Sequence, residues 1–179
     1  MTVGVFDGLH LGHQELIKRI VNRGPNPTVL TFRENPKKLI SSGNFEGDIF
    51  NLEQKLAAFE SFGVKQLILI DFSQNFSKIS GREFFDTLAD KGKMVYLAIG
   101  EDFRCGFRKE TGAESIKLMN EKRGIPTEIV SPVTLPNELG GGPVSSSRLR
   151  SAILSGDIKL ASELMGRSFD FLERQPTGV

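Results

Sequence analysis

Short β-rich runs alternate with segments of helical period along most of the chain, and this alternation limits the possible folds more than any other feature. The β-rich runs are TVGVF (2–6), TVLTF (28–32), QLILI (66–70), MVYLAI (94–99) and, more weakly, TEIV (127–130). Helical periods fill the intervals at 11–23, 52–62, 81–90 and 113–123. Strands that alternate with helices predict an α/β fold in which right-handed crossovers build a parallel sheet with helices on both faces.

The last third of the chain turns helical. Two helices are predicted at 145–154 and 158–165, after the glycine-rich stretch PNELGGGP, and the SGD between them supplies a helix stop followed by a new N-cap. A long loop is predicted at 34–50, and loops of that length in a compact domain are usually functional or disordered. We expect one domain over residues 1–169 and a polar tail, either frayed or part of a linker, over 170–179.

Size and charge exclude several classes of function. A chain of 179 residues that is 39% hydrophobic can build a core without further support, and a formal net charge of +1 argues against a broad nucleic-acid surface. The sequence holds one cysteine, no apolar run of membrane length and no signal-peptide pattern. We therefore expect a cytoplasmic protein with neither nucleic acid nor membrane as partner, and the sequence leaves its oligomeric state open.

Both histidines of the chain stand in one turn, GVFDGLHLGHQ, between the first predicted strand and the first predicted helix. Ligands of parallel sheets bind beyond the carboxyl ends of strands, where a helix N-terminus favours an anion. Gly8 and Gly12 permit close backbone approach, and His10 and His13 can project to one side of the first helical turn. We interpret the turn as a phosphate site, and Asp7 as a turn residue in preference to a metal contact.

Other interpretations of the histidine turn are possible. A single histidine is more often a helix cap or a surface residue, and a metal site made by His10 and His13 needs further ligands that the neighbouring sequence lacks. The phosphate-binding patterns G-x-x-x-x-G-K-[ST] and G-x-G-x-x-G are both absent from the chain. Any phosphate site here therefore depends on the paired imidazoles and the glycines.

A second anion site is predicted in VSSSRLRSAI. Three serines, Ser145, Ser146 and Ser147, can cap the helix and donate hydroxyl groups, while Arg148 and Arg150 add positive charge near its start. Positive charge at a helix N-terminus is unfavourable unless an anion offsets it, which suggests a ligand. The alternative is a single serine N-cap followed by two solvated arginines.

A third cluster, GEDFRCGFRKETG, follows the strand MVYLAI, again at a carboxyl end. Asp102 and Arg104 are placed there to meet a nucleotide. We interpret Cys105 as a buried small hydrophobe and not as a nucleophile, because the chain has no third histidine to act as its base.

Together these segments resemble the FAD synthetase (FMN adenylyltransferase) domain of bacterial bifunctional riboflavin kinase/FAD synthetases, which belong to the H-x-G-H nucleotidyltransferases. The resemblance covers about residues 2–169 and is carried, in order, by GVFDGLHLGHQ, the TF…NP of 31–36, IGEDFRCGFR and VSSSRLRSAILSGDIKLASELMGRSF. It implies a Rossmann-like domain that transfers an adenylyl group from ATP to FMN, with Mg²⁺ as cofactor, and releases FAD and pyrophosphate.

The resemblance also implies roles for individual residues. Charge on the departing pyrophosphate would be offset by the catalytic residues His10, His13 and Arg150. ATP would be bound by Gly4, Phe6, Asp7, Gly8, His10, Gly12, His13, Gly100, Asp102, Arg104, Ser145, Ser146, Ser147, Arg148 and Arg150. Phe32 and Pro36 would lie near the flavin, and no metal ligand is assigned.

The chain departs from the family pattern in several places. Glu34-Asn35-Pro36 stands where the family usually has Pro-His-Pro, Ala113 where an aspartate is frequent, and Ser147 where threonine is commonest. The riboflavin kinase domain of the family would begin beyond residue 169, and we expect this chain to lack it. Two alternatives remain: another small-molecule adenylyltransferase of the same superfamily, and a non-catalytic nucleotide- or flavin-binding module.

Overall fold

A computed structural model describes residues 1–40 and 45–168. Seven strands occur in this part of the chain: β1 (Thr2–Val3), β2 (Thr28–Phe32), β3 (Gln66–Ile70), β4 (Leu97–Gly100), β5 (Arg104–Cys105), β6 (Thr111–Gly112) and β7 (Thr127–Val130). Five of them form a sheet in the order β3-β2-β1-β4-β7, in which every neighbouring pair is parallel. The other two, β5 and β6, pair antiparallel as a small hairpin.

Seven α-helices connect or follow these strands. They are α1 (Leu11–Val21), α2 (Lys37–Ile40), α3 (Leu52–Ser61), α4 (Gly81–Asp90), α5 (Ala113–Glu121), α6 (Ser146–Leu154) and α7 (Ile158–Met165). Side chains that cap the first turn explain where four of them begin: Asn51 for α3, Ser80 for α4, Ser145 for α6 and Asp157 for α7.

The sheet is buried on both faces, as the sequence predicted. Successive strand residues belong to opposite cores: Val29 packs with α1, α3, α6 and α7, whereas Leu30 packs with α4 and α5. In β4, Ala98 faces the first core, and Leu97 and Ile99 face the second. This alternation follows from the two-residue period of a strand, and it confirms a parallel α/β sheet with helices on both faces.

Several predicted boundaries were wrong. β1 ends at Val3 instead of Phe6, because the chain leaves the sheet at Gly4 and Phe6 adopts a left-handed backbone with φ of 53°. The loop predicted at 34–50 contains α2, whose start is capped by Asn35 through a 3.1 Å hydrogen bond from the Lys37 amide. Residues 41–44 of that loop and the predicted tail, 170–179, lie outside the described residues.

The strand order places a crevice at the middle of the sheet. From β1 the chain proceeds to β2 and β3 on one side, and then returns to add β4 and β7 on the other. The connections after β1 and β4 therefore diverge at the carboxyl edge, which is where sheets of this kind bind their ligands.

Candidate active site

A cleft of about 300 Å³ opens at this crevice. Four segments line it: the turn between β1 and α1, the end of β4, the chain after β7, and the start of α6. The lining residues are Val3, Gly4, Phe6, His10, Gly12, His13, Leu16, Gly100, Asp102, Phe103, Val130, Ser131, Pro132, Val133, Val144, Ser145 and Ser146. Three segments that are far apart in sequence, each predicted as a ligand contact, thus meet at one place.

The two imidazoles are stacked at the base of the turn. The ring centroids of His10 and His13 lie 3.6 Å apart with an interplanar angle of 20°, and the ring of Phe6 meets that of His13 edge to face with centroids 5.1 Å apart. The Nδ1 atoms of both histidines are buried and have no hydrogen-bond partner among the described residues. Burial lowers the pKa of His10 to about 4; it also lowers the pKa of His13, to which His10 and Lys55 contribute further. Both rings are therefore neutral near pH 7, and a bound anion would favour their protonated forms.

The depressed pKa values predict how stability depends on pH. Unfolding returns His10 to its ordinary pKa of 6.5, so the unfolded state binds a proton more readily than the native state below that pH. The contribution of neutral His10 to stability is present above pH 6.5 and is lost as the pH falls toward 4. Between about pH 7 and pH 5, wild type should lose about 2 kcal/mol more unfolding free energy than His10→Gln, measured by urea denaturation. Parallel pH curves for the two proteins would contradict this interpretation.

The backbone of the turn is unusual over three residues. Phe6, Gly8 and Leu9 have φ values of 53°, 80° and 41°, and left-handed backbone in a non-glycine residue costs on the order of 1–3 kcal/mol. At Gly8 a Cβ atom would lie 2.7 Å from a Leu149 methyl group in α6, so glycine is required there for space as well as for conformation. Full burial of Phe6 and Leu9 offsets the strain.

Two hydrogen bonds from the motif itself also hold the turn. The side-chain Nε2 of Gln14 donates to the Leu9 carbonyl at 2.9 Å and to the Met165 carbonyl at 2.6 Å. The strained residue is thereby tied to the end of α7. At the start of α1, His10 occupies the N-cap without a side-chain capping bond, and the first turn carries no acidic residue. That helix N-terminus keeps its preference for an anion.

Asp7 anchors the turn from the inside. Its Oδ1 atom accepts hydrogen bonds from the Ile49 and Phe50 amides at 2.8 and 3.3 Å, and its Oδ2 atom pairs with Arg150. Desolvation raises the pKa of Asp7, whereas the two amides and the guanidinium favour the carboxylate. Both oxygens of Asp7 are thus engaged by residues 42 or more positions away, so this carboxylate connects the turn to distant parts of the chain.

The two arginines of the SSSRLR segment already have partners. Arg150 is buried and donates to the Asp7 carboxylate and, at 3.0 Å, to the Gly47 carbonyl. Arg148 donates to the carbonyls of Gly140, Gly141 and Pro143. Neither arginine lines the cleft, so their positive charge at the start of α6 does not by itself require a bound anion.

The remaining predicted residues divide between the cleft and its surroundings. Gly100 and Asp102 line the cleft, whereas Arg104 and Ser147 are exposed outside the lining.

Burial, followed by the charge of Glu110, raises the pKa of the Cys105 thiol to about 12, so this thiol is a poor nucleophile near neutral pH.

Two predicted residues lie one strand away from the cleft lining. Phe32, at the end of β2, meets Phe72 and Phe76 edge to face, with ring centroids 5.7 and 6.1 Å away. Pro36 is buried at the start of α2. Phe32 thus belongs to an aromatic group that lies outside the cleft lining.

Sequence reasoning missed one wall of the cleft and one buried cation. This wall is formed by the last residue of β7 and by residues 131–133 after it, so the rule that directed attention to the ends of β1 and β4 applies to it equally. Lys55 is buried in α3 on the same face as Phe59. A lysine on an apolar helix face was the signal that could have found it.

A parallel sheet in this strand order, with paired histidines where that order reverses, has the architecture of a Rossmann-like nucleotidyltransferase. The chain belongs to the FAD synthetase family, whose sequence profile matches residues 1–148.

Curated relatives match nearly the whole chain. A protein of Buchnera aphidicola (strain APS) is named bifunctional riboflavin kinase/FMN adenylyltransferase. It is 28% identical over an aligned length of 179 residues, and the alignment covers 97% of this chain and 56% of the relative. The Escherichia coli K12 protein of the same name is 28% identical over 176 residues, or 94% of this chain and 54% of the relative. The chain thus spans about half the length of the curated relatives it matches.

A solved structure has the same fold. A Streptococcus pneumoniae structure titled macrolide-efflux protein superposes with a TM-score of 0.78 at 32% identity, over 93% of this chain and 54% of that one. Within residues 1–40 and 45–168, no helix reaches the length and apolarity needed to cross a bilayer.

Proposed function

We propose that this chain transfers the adenylyl group of ATP to FMN and releases FAD and pyrophosphate. The observation that carries the proposal is the stacked pair of desolvated imidazoles, His10 and His13, at the carboxyl end of β1 in a member of the FAD synthetase family. The names of the relatives include FMN adenylyltransferase, in agreement with this activity. We also propose a cytoplasmic location, with ATP and FMN as the small-molecule partners.

ATP is proposed to bind with its phosphates between the starts of α1 and α6. Direct contacts are assigned to the predicted residues that line the cleft: Gly4, Phe6, His10, Gly12, His13, Gly100, Asp102, Ser145 and Ser146. Two helix N-termini supply N–H groups and a favourable field for the triphosphate. Asp7, Gly8, Arg148 and Arg150 are proposed to act by shaping the turn and the start of α6, and Arg104 and Ser147 by contacting the nucleotide from outside the lining.

The proposed reaction is an in-line displacement at phosphorus. A phosphate oxygen of FMN attacks the α-phosphorus of ATP; the new O–P bond forms as the bond to the β-phosphate oxygen breaks, and pyrophosphate leaves with the electron pair. A phosphate monoester is already ionised near pH 7, so no general base is needed. The imidazole N–H groups stabilise the charge that builds on the phosphates, and the protein contributes mainly by positioning the two substrates.

Mg²⁺ is proposed to accompany ATP. The described residues contain no group of three or more histidine, cysteine, aspartate or glutamate side chains that could hold a metal, and Asp102 is the one carboxylate of the cleft lining. That arrangement suits an ion held mainly by substrate phosphates and water, with one or two protein carboxylates. When bound, Mg²⁺ would neutralise phosphate charge.

The flavin is proposed to lie beside Phe32 and Pro36. The end of β2 neighbours the end of β1, so an acceptor there would be close to the nucleotide turn. Asn35, where the family usually has histidine, accepts a hydrogen bond from the Lys37 amide and so caps the start of α2.

Product analysis tests the proposal. The 179-residue chain with FMN, ATP and Mg²⁺ should make FAD, whereas with riboflavin, ATP and Mg²⁺ it should make neither FMN nor FAD, because both histidines of the chain lie together at the one site proposed for transfer. Chromatography separates the three flavins. Nicotinamide mononucleotide and phosphopantetheine serve as competing acceptors: turnover with either in place of FMN would favour another adenylyltransferase. Tight binding of ATP and FMN without any product would favour a non-catalytic module.

A further inference from the structure

Lys55 is a buried cation next to the site. Its side chain is 5% exposed, and with Phe59 it forms the buried face of α3. The ammonium donates to the Val5 carbonyl at 3.2 Å and to the Phe32 carbonyl at 3.4 Å. One side chain therefore connects the segment that follows β1 with the last residue of β2.

These two carbonyls lie where the sheet itself no longer joins the strands. The pairing of β1 with β2 ends at Val3, and the last backbone hydrogen bond between them is from the Gly4 amide to the Leu30 carbonyl. Beyond that point the contacts are made by side chains: Lys55, and the Thr31 hydroxyl, which donates to the same Val5 carbonyl at 3.0 Å. The ammonium thus replaces the hydrogen-bond ladder at the point where the two chain segments diverge.

The same helix also supports the catalytic turn through aromatic contacts. The Phe59 ring lies 5.6 Å from the Phe6 ring, and the Phe6 ring lies 5.1 Å from His13. Val5 immediately precedes Phe6, the first strained residue of the turn. If Lys55 moved, the change would be transmitted to His13 through Val5 and Phe6.

Burying an ammonium is costly, and this cost has partial compensation. Desolvation lowers the pKa of Lys55, while the charges of Asp7 and Asp48 oppose that effect. Buried charges contribute little net stability compared with apolar side chains of similar volume. A methionine would fill this position with a smaller desolvation cost. The ammonium is therefore better explained by its hydrogen bonds to the Val5 and Phe32 carbonyls than by a contribution to the free energy of unfolding.

We propose that Lys55 is a positioning residue that fixes the end of β1 against the end of β2, and so sets the distance between the FMN phosphate and the α-phosphorus of ATP. This inference rests on the proposed function, because the acceptor is assigned to the end of β2 and the nucleotide to the turn after β1. Lys55 does not line the cleft, so the role proposed for it is to position the two segments and not to contact either substrate.

Steady-state kinetics test this role with Lys55→Met, Lys55→Arg and a control, Lys65→Met, which removes an exposed lysine near the start of β3. Misplacement of reacting groups by a fraction of an ångström should lower the kcat of Lys55→Met by about thirty-fold, with the KM for ATP within about three-fold of wild type. Lys55→Arg keeps the charge and the donors and should recover most of the lost kcat. A Lys55→Met protein with unchanged kcat, or a loss that Lys55→Arg does not reduce, overturns the proposal.

Amide hydrogen exchange of the ligand-free proteins separates this inference from the proposed function. Lys55→Met should exchange faster than wild type at residues 5–10 and 31–36 together, with the rest of the sheet unchanged, and Lys65→Met should match wild type. Uniformly faster exchange, or no change in those two segments, overturns the positioning role. A wild-type chain that makes no FAD overturns the proposed function, and exchange alone then decides whether Lys55 holds the two segments together.

Discussion

His10→Ala and His13→Ala should each lower the rate of adenylyl transfer by about a hundred-fold and leave the affinity for FMN nearly unchanged. Loss of one preorganised donor to developing negative charge typically costs that much in kcat. Both imidazoles line the cleft at the end of β1, whereas the residues proposed to bind the flavin lie at and just after the end of β2, so we expect binding of the acceptor not to depend on the histidines. The measurements are kcat with saturating ATP, and the FMN dissociation constant from flavin fluorescence.

Glutamine variants provide the matched control for the histidines. His10→Gln and His13→Gln keep an N–H donor of similar reach but cannot become cationic as phosphate charge builds. We expect their rates to lie between those of wild type and the alanine variants. If both alanine variants turn over at the wild-type rate, the imidazoles do not stabilise the transition state and the proposed mechanism fails.

Arg150→Ala should lower the free energy of unfolding by about 3–5 kcal/mol, because it leaves the buried Asp7 carboxylate without its cation. The same change releases the Gly47 carbonyl and loosens the turn, so the rise in melting temperature caused by ATP with Mg²⁺ should also diminish. Urea denaturation and thermal melts with and without nucleotide measure the two effects.

Arg148→Ala is the control for this prediction, since Arg148 lies two residues away in the same helix and its partners are backbone carbonyls near the surface. We expect a loss of roughly 1 kcal/mol from it. The double variant Asp7→Asn/Arg150→Met removes both charges and should be more stable than Arg150→Ala. Equal losses from Arg148→Ala and Arg150→Ala would mean that the buried pair contributes nothing beyond an ordinary hydrogen bond.

The sequence predicted the architecture because buried side chains recur at regular intervals along a strand or helix. Val29 and Leu30 belong to opposite cores, and such alternation is visible in any apolar run. The same signal failed at β1: Phe6 is as buried as a strand residue, yet its φ is 53°. Hydropathy reports whether a side chain is inside the protein and says nothing about the hand of its backbone, so the end of β1 was placed three residues too late.

The site was predictable where neighbours in sequence are neighbours in space. His10 and His13 meet within one helical turn, and the ends of β1 and β4 lie at one edge by the rule for parallel sheets. Long-range partners were not predictable. The sequence indicated excess charge at Arg150 but not that Asp7, from the other end of the chain, would neutralise it. The sequence likewise could not show that Lys55 donates to the carbonyls of Val5 and Phe32, which are 50 and 23 residues away.

The shortness of β1 has a consequence for how this chain folds. Within the described residues, β1 connects the β2–β3 half of the sheet to the β4–β7 half through the paired residues Thr2 and Val3 and the flanking Met1 and Gly4, and Thr2 pairs with Ala98, more than half the chain away. Forming this seam requires a long loop to close for the gain of very few backbone hydrogen bonds. We therefore expect the seam to form late in folding. A nucleotide that spans the cleft above the seam would slow its reopening, since it contacts both halves at once.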